Sequence, residues 1–257
     1  TRVEISRTAP EMARLADSFN TMADKLSELE SSRREFVANV SHELRSPITS
    51  IRGFVEGMED GTIPPQEHGK YLHIVGDETK RLSKLINDLL SLSRLEREDA
   101  QLHLTDFDMN EMLRRAVIRR MNDLDQKHME VETDFRLDPC MVHADSDRME
   151  QVVVNLLDNA IRYTPPGGRV DISASCADES VILVITDTGP GIPPAERERV
   201  FEPFYRLPGH DVTGSGPGLA IAKTLTTQLG GIIHLTDAPE GPGLRVIARF
   251  PTRLRLA

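Results

Sequence analysis

The sequence predicts an α+β protein in which a helical hairpin precedes a domain of mixed helices and strands. Apolar residues recur at spacings of three, four and seven through the first hundred residues, which is typical of amphipathic helices. After the charged residues 96–99, five apolar segments of strand length alternate with helical stretches. We therefore place a domain boundary near residues 97–106.

The first domain is predicted from three apolar seams. They run from Ile5 to Leu29, from Val37 to Met58 and from Leu72 to Leu89, and a Gly-Thr-Ile-Pro-Pro turn at 61–65 interrupts them. Two long amphipathic helices joined by a short turn form an antiparallel hairpin. One hairpin has only two apolar faces and cannot enclose a core, so we expect two copies to form a four-helix bundle in a homodimer.

The second domain is predicted from the alternation of short strands with helices. Strands are expected at residues 129–137, 169–176, 181–187, 232–237 and 244–250, and helices at 110–126, 147–163 and 218–229. Hydrophobic residues make up 39% of the chain but aromatic residues only 4%, so the core should be mostly aliphatic.

Composition excludes some functions. The 31 basic and 41 acidic residues give a net charge of −10, which argues against a binder of nucleic acid or anionic membranes. Cys140 and Cys176 are too few for a disulfide framework or a thiolate zinc site, and we expect both as buried, reduced thiols in a reducing compartment. No stretch reaches the roughly 18–20 apolar residues of a membrane span, and no signal peptide is recognised.

A histidine on the second seam is a candidate nucleophile. At about 100° per residue, His42 falls roughly 160° from the centre of the apolar stripe, and Ser46 lies one turn further on. An exposed imidazole next to the carboxylate of Glu43 suits nucleophilic chemistry, because the carboxylate can hold the proton of one ring nitrogen. The alternative is a solvated helix face that carries a histidine. Pro47 is expected to bend the helix.

Residues 36–47, Phe-Val-Ala-Asn-Val-Ser-His-Glu-Leu-Arg-Ser-Pro, closely resemble the phospho-acceptor box of bacterial sensor histidine kinases. The resemblance implies that His42 is phosphorylated on a ring nitrogen and that Glu43 is the neighbouring base. The phosphatase reaction of the family usually relies on Thr or Asn four residues after the histidine, where this chain has Ser46. A serine hydroxyl can orient a water, so phosphatase activity stays open.

Three amides on one helix face indicate a polar site. Gln151, Asn155 and Asn159 are spaced by four, and the apolar residues between them indicate a largely buried helix. Neutral amide oxygens suit a hydrated divalent cation when phosphates supply the negative charge. Arg162 follows in a position to meet a phosphate.

Glycine-rich turns follow this helix. Asp187 ends an apolar strand before Gly189 and Gly191, where a carboxylate can accept a hydrogen bond from an exocyclic amine; a plain turn is the alternative. Gly214, Gly216 and Gly218 open a later helix, and a glycine-rich turn there can cradle phosphate. The segment has neither the Lys-Ser/Thr of a P-loop nor the context of a Rossmann fingerprint.

In order and spacing, these segments and residues 201–206 resemble the N, G1, F and G2 boxes of the same kinases, whose ATP domain is an α/β sandwich of the GHKL type. The resemblance implies that Asn159 binds Mg²⁺ and that Asp187 reads the adenine of ATP. It places Asn155, Arg162 and Tyr163 on the phosphate side, and the five glycines in the pocket and in a lid formed by residues 189–217. Two departures stand in the lid: residues 207–213, which follow Arg206, contain no Lys or Arg, and Pro217 stands where Leu is usual.

Residues 11–22 resemble the second helix of a HAMP linker, which in this family follows a transmembrane helix. The resemblance implies a HAMP-type segment at 1–30, a dimerisation and phosphotransfer domain at 31–100 and a catalytic domain at 101–257. It also implies that the chain is the cytoplasmic portion of a membrane-embedded parent.

The function that the resemblance implies is autophosphorylation of His42 from Mg-ATP, with transfer of the phosphoryl group to an aspartate on the receiver domain of a response regulator. An ATP-hydrolysing machine of the DNA gyrase type is one alternative, and the histidine box argues against it. A degenerate dimeric scaffold without activity is the other, and His42, Asn159 and Asp187 argue against that.

Overall fold

The computed structural model describes residues 10–95, 102–135, 139–177, 179–205, 207 and 217–254. The chain forms two compact units that divide between Leu82 and Ser83. The predicted domain bounds at 1–30, 31–100 and 101–257 stay predictions. No helix among the described residues has the length and apolar character needed to cross a membrane.

The predicted helical hairpin is confirmed. Helix α1 spans Pro10–Glu59 and contains the second seam and the described part of the first; Ile5 lies outside the described residues. A 3₁₀ turn at Pro65–Glu67 leads into α2, His68–Leu95. Helix α1 continues through Pro47.

Local hydrogen bonds explain the hairpin turn. The Asp60 carboxylate accepts from the Thr62 N–H at 2.9 Å, and the Ile63 N–H donates to the Gly57 carbonyl at 2.7 Å. Gly61 has a φ of +79°, which glycine adopts without a Cβ penalty. The Gly/Pro signal therefore marks the turn for a physical reason.

The apolar seam of the first unit stays exposed in a single chain. Of its large apolar side chains that the structure describes, six are more than half exposed: Phe19, Met22, Leu26, Val37, Ile48 and Leu72. Exposed apolar side chains that recur along one helical seam are unfavourable in water.

The second unit contains an antiparallel pair and a five-stranded sheet. The pair joins β1, Leu104–Asp108, to β3, Met141–Asp145, and the sheet has the order β2-β4-β5-β7-β6. Its strands are β2 Glu130–Phe135, β4 Arg169–Ala177, β5 Ser180–Asp187, β6 Ile232–Asp237 and β7 Leu244–Pro251. The pair β2–β4 is parallel and the other pairs of this sheet are antiparallel. The five predicted strands are confirmed.

Four helices of the described residues lie wholly within this unit: α3 Met109–Ile118, α4 Met121–Gln126, α5 Ser146–Tyr163 and α6 Gly218–Gln228. The predicted helices at 147–163 and 218–229 are confirmed. The single helix predicted at 110–126 is wrong, because the chain breaks at Arg120, which has φ −107° and ψ 4°. No Gly or Pro marks this break.

The core lies between the sheet and the helices. Alternate residues of β4 and β5 are buried, such as Val170, Ile172, Leu183 and Ile185, and α5 buries Val152, Val153, Leu156 and Leu157. This period-two pattern is expected for a sheet with one covered face. The expected α+β class with an aliphatic core is therefore confirmed.

The expectation of two reduced thiols is wrong in this structure. Cys140 and Cys176 form a disulfide with their Cα atoms 5.8 Å apart, within the usual range for such bonds. Cys140 precedes β3, and Cys176 lies near the end of β4. The fold brings these two distant segments together, so local sequence gave no sign of the bond.

Candidate functional site

The candidate acceptor histidine lies on the surface of the first unit. His42 is exposed on α1, as predicted, and Ser46 is exposed one turn later. Glu43, the next residue after His42, is instead buried, with 8% of its surface exposed. The two neighbours therefore point to different environments.

Glu43 is directed toward α2. Its Oε2 lies 3.5 Å from Nη2 of Arg81, whose Nη1 lies 3.7 Å from Oε2 of Glu78. Sequence reasoning missed Arg81, because 38 residues separate it from Glu43. Only the closed hairpin brings the pair together. The predicted roles of His42, Glu43 and Ser46 stay predictions.

The second unit contains a cleft that brings together several of the predicted nucleotide residues. It encloses about 890 Å³, including solvent at its mouth. Helix α5, the end of β5, the start of β7 and the start of α6 line it, with Asn159, Tyr163, Asp187, Gly191, Gly218 and Leu244 among the residues. Leu156, Ile192 and Val200 add an apolar lining of the kind that suits a flat ring.

Asp187 is the buried acidic group of this cleft, with 5% of its surface exposed. Its Oδ1 accepts hydrogen bonds from the Gly189 N–H at 2.8 Å and the Leu244 N–H at 3.4 Å. Burial raises the pKa of the Asp187 carboxyl, although these two bonds act in the opposite direction. The carboxylate is thus fixed and poorly solvated, which suits recognition of an amine donor.

Two glycines pack closely against these side chains. A Cβ on Gly189 would lie 2.7 Å from Asp187 Oδ1 and 3.0 Å from the Tyr163 carbonyl oxygen. A Cβ on Gly218 would lie 3.2 Å from Nδ2 of Asn159. The backbone of α6 therefore approaches the Asn159 amide closely because Gly218 has no side chain.

The Asn159 amide has an unusual environment. Its Nδ2 is buried and has no hydrogen-bond partner among the residues that the structure describes. Asn155 differs, since its Nδ2 donates to the Gln151 carbonyl at 2.8 Å. A small recess next to the cleft is lined by amide and charged side chains and one glycine: Lys84, Asp88, Asn155, Asp158, Asn159, Arg162 and Gly218.

A buried polar group without a partner is costly unless a ligand completes it. The amide oxygens of this recess are the hard donors that Mg²⁺ prefers, and an N–H of the Asn159 amide can donate to a phosphate. The residues present therefore fit a phosphate-bound divalent cation.

Other predicted residues are only partly described. Gly214, Gly216 and Arg206 lie outside the described residues. Pro217 caps α6, and its carbonyl accepts the first helical hydrogen bond, from the Ile221 N–H at 2.8 Å. The expectation that Pro217 stands where a helix begins is confirmed.

Sequence reasoning missed Tyr205 as a cleft residue. Tyr205 lines the cleft, and its hydroxyl donates to the carboxylate of Glu196. The Arg199 guanidinium lies 4.4 Å from the centre of the Tyr205 ring. These contacts come from the two 3₁₀ turns at Pro194–Glu196 and Arg199–Phe201.

Two protein-family models match the chain. The model described as the His Kinase A (phospho-acceptor) domain matches residues 32–98, which include His42. The model described as the histidine kinase-, DNA gyrase B- and HSP90-like ATPase matches residues 144–254, which include Asn159 and Asp187. The two models therefore cover both candidate sites.

Whole-chain comparisons agree. The signal transduction histidine-protein kinase/phosphatase MprB of Mycolicibacterium paratuberculosis is 38% identical over 258 residues, covering 95% of this chain and 48% of MprB. The chain thus spans about half the length of this curated relative.

Two solved structures are also similar. The Acinetobacter baumannii histidine kinase AdeS has a TM-score of 0.68 at 31% identity, covering 82% of this chain and 98% of AdeS. The histidine kinase ThkA, solved in complex with the response regulator protein TrrA, has a TM-score of 0.71 at 27% identity, covering 89% of this chain and 66% of ThkA. Together with the two family models, these similarities show that the chain belongs to the histidine kinase family.

Proposed function

We propose that this chain is an ATP-dependent protein histidine kinase that phosphorylates its own His42. The observation that carries the proposal is the pairing, in one chain, of an exposed histidine on α1 with a cleft that contains the buried Asp187 carboxylate and Nδ2 of Asn159, which has no partner among the described residues. Phosphoryl transfer requires mainly positioning and charge neutralisation, and both can come from such a site.

At the base end of the cleft, Asp187 accepts a hydrogen bond from the exocyclic amine of adenine. The N–H groups of Gly189 and Leu244 already hold this carboxylate in place, so little reorganisation is needed on binding. Pro190, Ile192 and Val246 line the same cleft and provide apolar surface for the ring.

At the phosphate end, Asn159, Asn155 and Arg162 meet the triphosphate. Mg²⁺, held through the amide oxygen of Asn159, would neutralise charge on the phosphates when bound. Arg162 supplies a permanent positive charge, and Gly218 leaves room for the phosphates beside Asn159. Gly191, with a φ of +74°, turns the chain beside the base, and Gly214 and Gly216 are assigned to the lid as the resemblance implies.

The transfer step is a displacement at the γ-phosphorus. A ring nitrogen of His42 attacks with its lone pair, a P–N bond forms, and the P–O bond to the ADP leaving group breaks. The proton on the other ring nitrogen passes to Glu43 as neighbouring base. Because Arg81 holds the Glu43 carboxylate, the imidazole and the guanidinium compete for this group.

The partners of the kinase follow from its surfaces. We assign the exposed apolar seam of the first unit to a homodimer, in which two hairpins form a four-helix bundle. The phosphoryl group would pass to an aspartate on the receiver domain of a response regulator, and the structure of ThkA with TrrA supports this partner class. The net charge of −10 supports a function without nucleic acid.

The location of the protein follows from its family and remains a proposal. We assign the chain to the cytoplasmic portion of a membrane-embedded sensor kinase, as the resemblance of residues 11–22 to a HAMP linker implies. Residues 10–59 are helical in the structure, which is compatible with that assignment.

A phosphatase activity is the second candidate. The name of MprB includes a phosphatase, and Ser46 is exposed one turn from His42, where its hydroxyl can orient a water toward a phosphoaspartate. If this holds, Ser46→Ala will slow dephosphorylation of the regulator more than labelling of His42. If the wild type and Ser46→Ala dephosphorylate the regulator at equal rates, the proposed role of Ser46 is contradicted.

Labelling with γ-³²P-ATP and Mg²⁺ tests the main proposal. The label should be lost in acid and kept in alkali, as for a phosphoramidate. His42→Gln should abolish it while leaving nucleotide affinity within about twofold. The scaffold alternative predicts no label in the wild-type protein, and acid-labile label in His42→Gln would show that the acceptor is misassigned.

A further inference from the structure

Helix α5 ends at the nucleotide cleft, and an unusual group completes its last turn. The final carbonyls of an α-helix have no partner within the helix. Here, Nζ of Lys127 donates to the carbonyl oxygens of Ile161 at 2.7 Å, Arg162 at 2.9 Å and Thr164 at 3.1 Å. A lysine ammonium has three N–H donors, so these bonds match its full capacity. Its positive charge also suits the C-terminal end of a helix.

The main chain of Lys127 is held beside the same turn. Its carbonyl accepts from the Gly167 N–H at 2.9 Å, and the Glu130 N–H donates to the Gly168 carbonyl at 2.9 Å. Lys127 follows α4 as its C-terminal cap. The residue therefore connects α4 to the end of α5 through both its backbone and its side chain.

The last turn of α5 carries two of the candidate site residues. Tyr163 lines the main cleft, and Arg162 lines the recess next to Asn159. The Tyr163 carbonyl oxygen also lies 3.0 Å from the position of a Cβ on Gly189. A shift of this turn would thus disturb both the phosphate side and the turn that holds Asp187.

We infer that Lys127 is a positioning residue of the nucleotide site, which fixes the last turn of α5 so that Arg162 and Tyr163 face the bound nucleotide. Lys127 does not line either the cleft or the recess, so it acts through the helix end. The inference rests on the proposed nucleotide-binding function.

Lys127→Met tests this inference, because it keeps a long side chain but removes the charge and all three donors. In the full chain, the Kd for a non-hydrolysable ATP analogue with Mg²⁺ should rise at least about tenfold, measured by calorimetry. The KM for ATP in His42 labelling should rise similarly, while the rate at saturating ATP stays within about threefold. Lys127→Arg, which keeps charge and donors, should bind within about threefold of wild type.

A purely structural role needs a separate control. Val181→Ala removes fully buried volume at the far end of β5, six residues and about 20 Å along the strand from Asp187. It should lower the melting temperature but leave the Kd for the analogue within about twofold. If Lys127→Met lowers the melting temperature and also leaves the Kd within twofold, the inference is overturned.

Two further outcomes are decisive. Should Lys127→Met fail to fold, Lys127→Gln keeps one donor group and should weaken binding at least about threefold; unchanged binding by this variant would overturn the inference. Absence of analogue binding by the wild-type protein would instead overturn the proposed function. The two failures can be told apart: no binding by the wild type overturns the proposed function, whereas equal binding by the wild type and the variant overturns only the role of Lys127.

Discussion

The carboxylate of Glu43 lies 3.5 Å from the guanidinium of Arg81, across the hairpin from α1 to α2. Glu43 is buried, whereas His42, the preceding residue, is exposed. The candidate base is therefore anchored inside the hairpin next to an accessible candidate nucleophile. Glu43 can therefore have two roles: it is a structural partner of Arg81, and it is the candidate proton acceptor for His42.

Substitutions of the two partners distinguish these roles. Glu43→Gln keeps a hydrogen-bonding side chain but removes basicity, so labelling of His42 should slow by about 100-fold, the lower range for loss of a general base. Arg81→Met should not slow labelling by more than about threefold, because the carboxylate remains and the guanidinium no longer competes for it. Single-turnover labelling measures both rates. Equal slowing by both variants would mean that the ion pair, and not the basicity of Glu43, matters.

A second prediction concerns the buried Asp187. Burial raises the pKa of its carboxyl above the ordinary value of 3.8, so the folded state binds protons more readily than the unfolded state. The free energy of unfolding therefore falls as the pH rises from the pKa of Asp187 in the unfolded state to its higher pKa in the folded state. This loss of stability persists at neutral pH. Asp187→Asn removes the charge but keeps an acceptor oxygen for Gly189 and Leu244.

We therefore expect nucleotide-free Asp187→Asn to be at least as stable as the wild type at pH 7, because the cost of ionising a buried carboxyl is removed. Its affinity for an ATP analogue should fall at least about tenfold, since the ionised acceptor is lost. Urea denaturation at pH 7 and calorimetric titration measure the two effects. If the variant binds the analogue with wild-type affinity, Asp187 does not recognise adenine.

The fold was largely predictable, because local patterns determine its main elements. The strand at 169–176 alternates buried and partly exposed residues, and the Gly/Pro turn at 61–65 contains Gly61 in a conformation that favours glycine. Strands β1 and β3 were not predicted. They are short, and they carry three acidic side chains, at Asp106, Asp108 and Asp145, that mask a strand pattern.

The candidate site was predictable only where a motif is contiguous. His42, Asn159 and Asp187 each stand in a recognisable local sequence, and the structure places the last two at one cleft. Arg81 and Lys127 were missed, because each acts on a segment more than 30 residues away. Such contacts depend on the tertiary fold, and a single sequence carries no local record of them.

The disulfide between Cys140 and Cys176 gives a third prediction. It closes a loop with a sequence separation of 36, for which the chain-entropy model gives a stabilisation of about 3–4 kcal/mol. Urea denaturation should show a loss of this order on reduction, and the Cys140→Ser/Cys176→Ser double variant should become insensitive to reductant. Two free thiols in protein purified without reductant, with unchanged stability on reduction, would contradict the bond.

The last prediction concerns Pro217, where histidine kinases usually have Leu. A proline inside a helix would cost about 3 kcal/mol, but Pro217 is the N-terminal cap of α6, with φ −86° and ψ −7°. At this position a backbone N–H has no partner within the helix, so proline removes no helical bond. The Pro217 carbonyl still accepts from the Ile221 N–H at 2.8 Å, and leucine can adopt the same φ.

Pro217→Leu should therefore change the Kd for an ATP analogue by less than about tenfold, or 1.4 kcal/mol. Calorimetric titration of both proteins measures this difference. If the leucine variant binds the analogue more than tenfold more tightly, the natural proline removes a backbone N–H that would donate to the nucleotide. The proline would then lower the nucleotide affinity of this kinase.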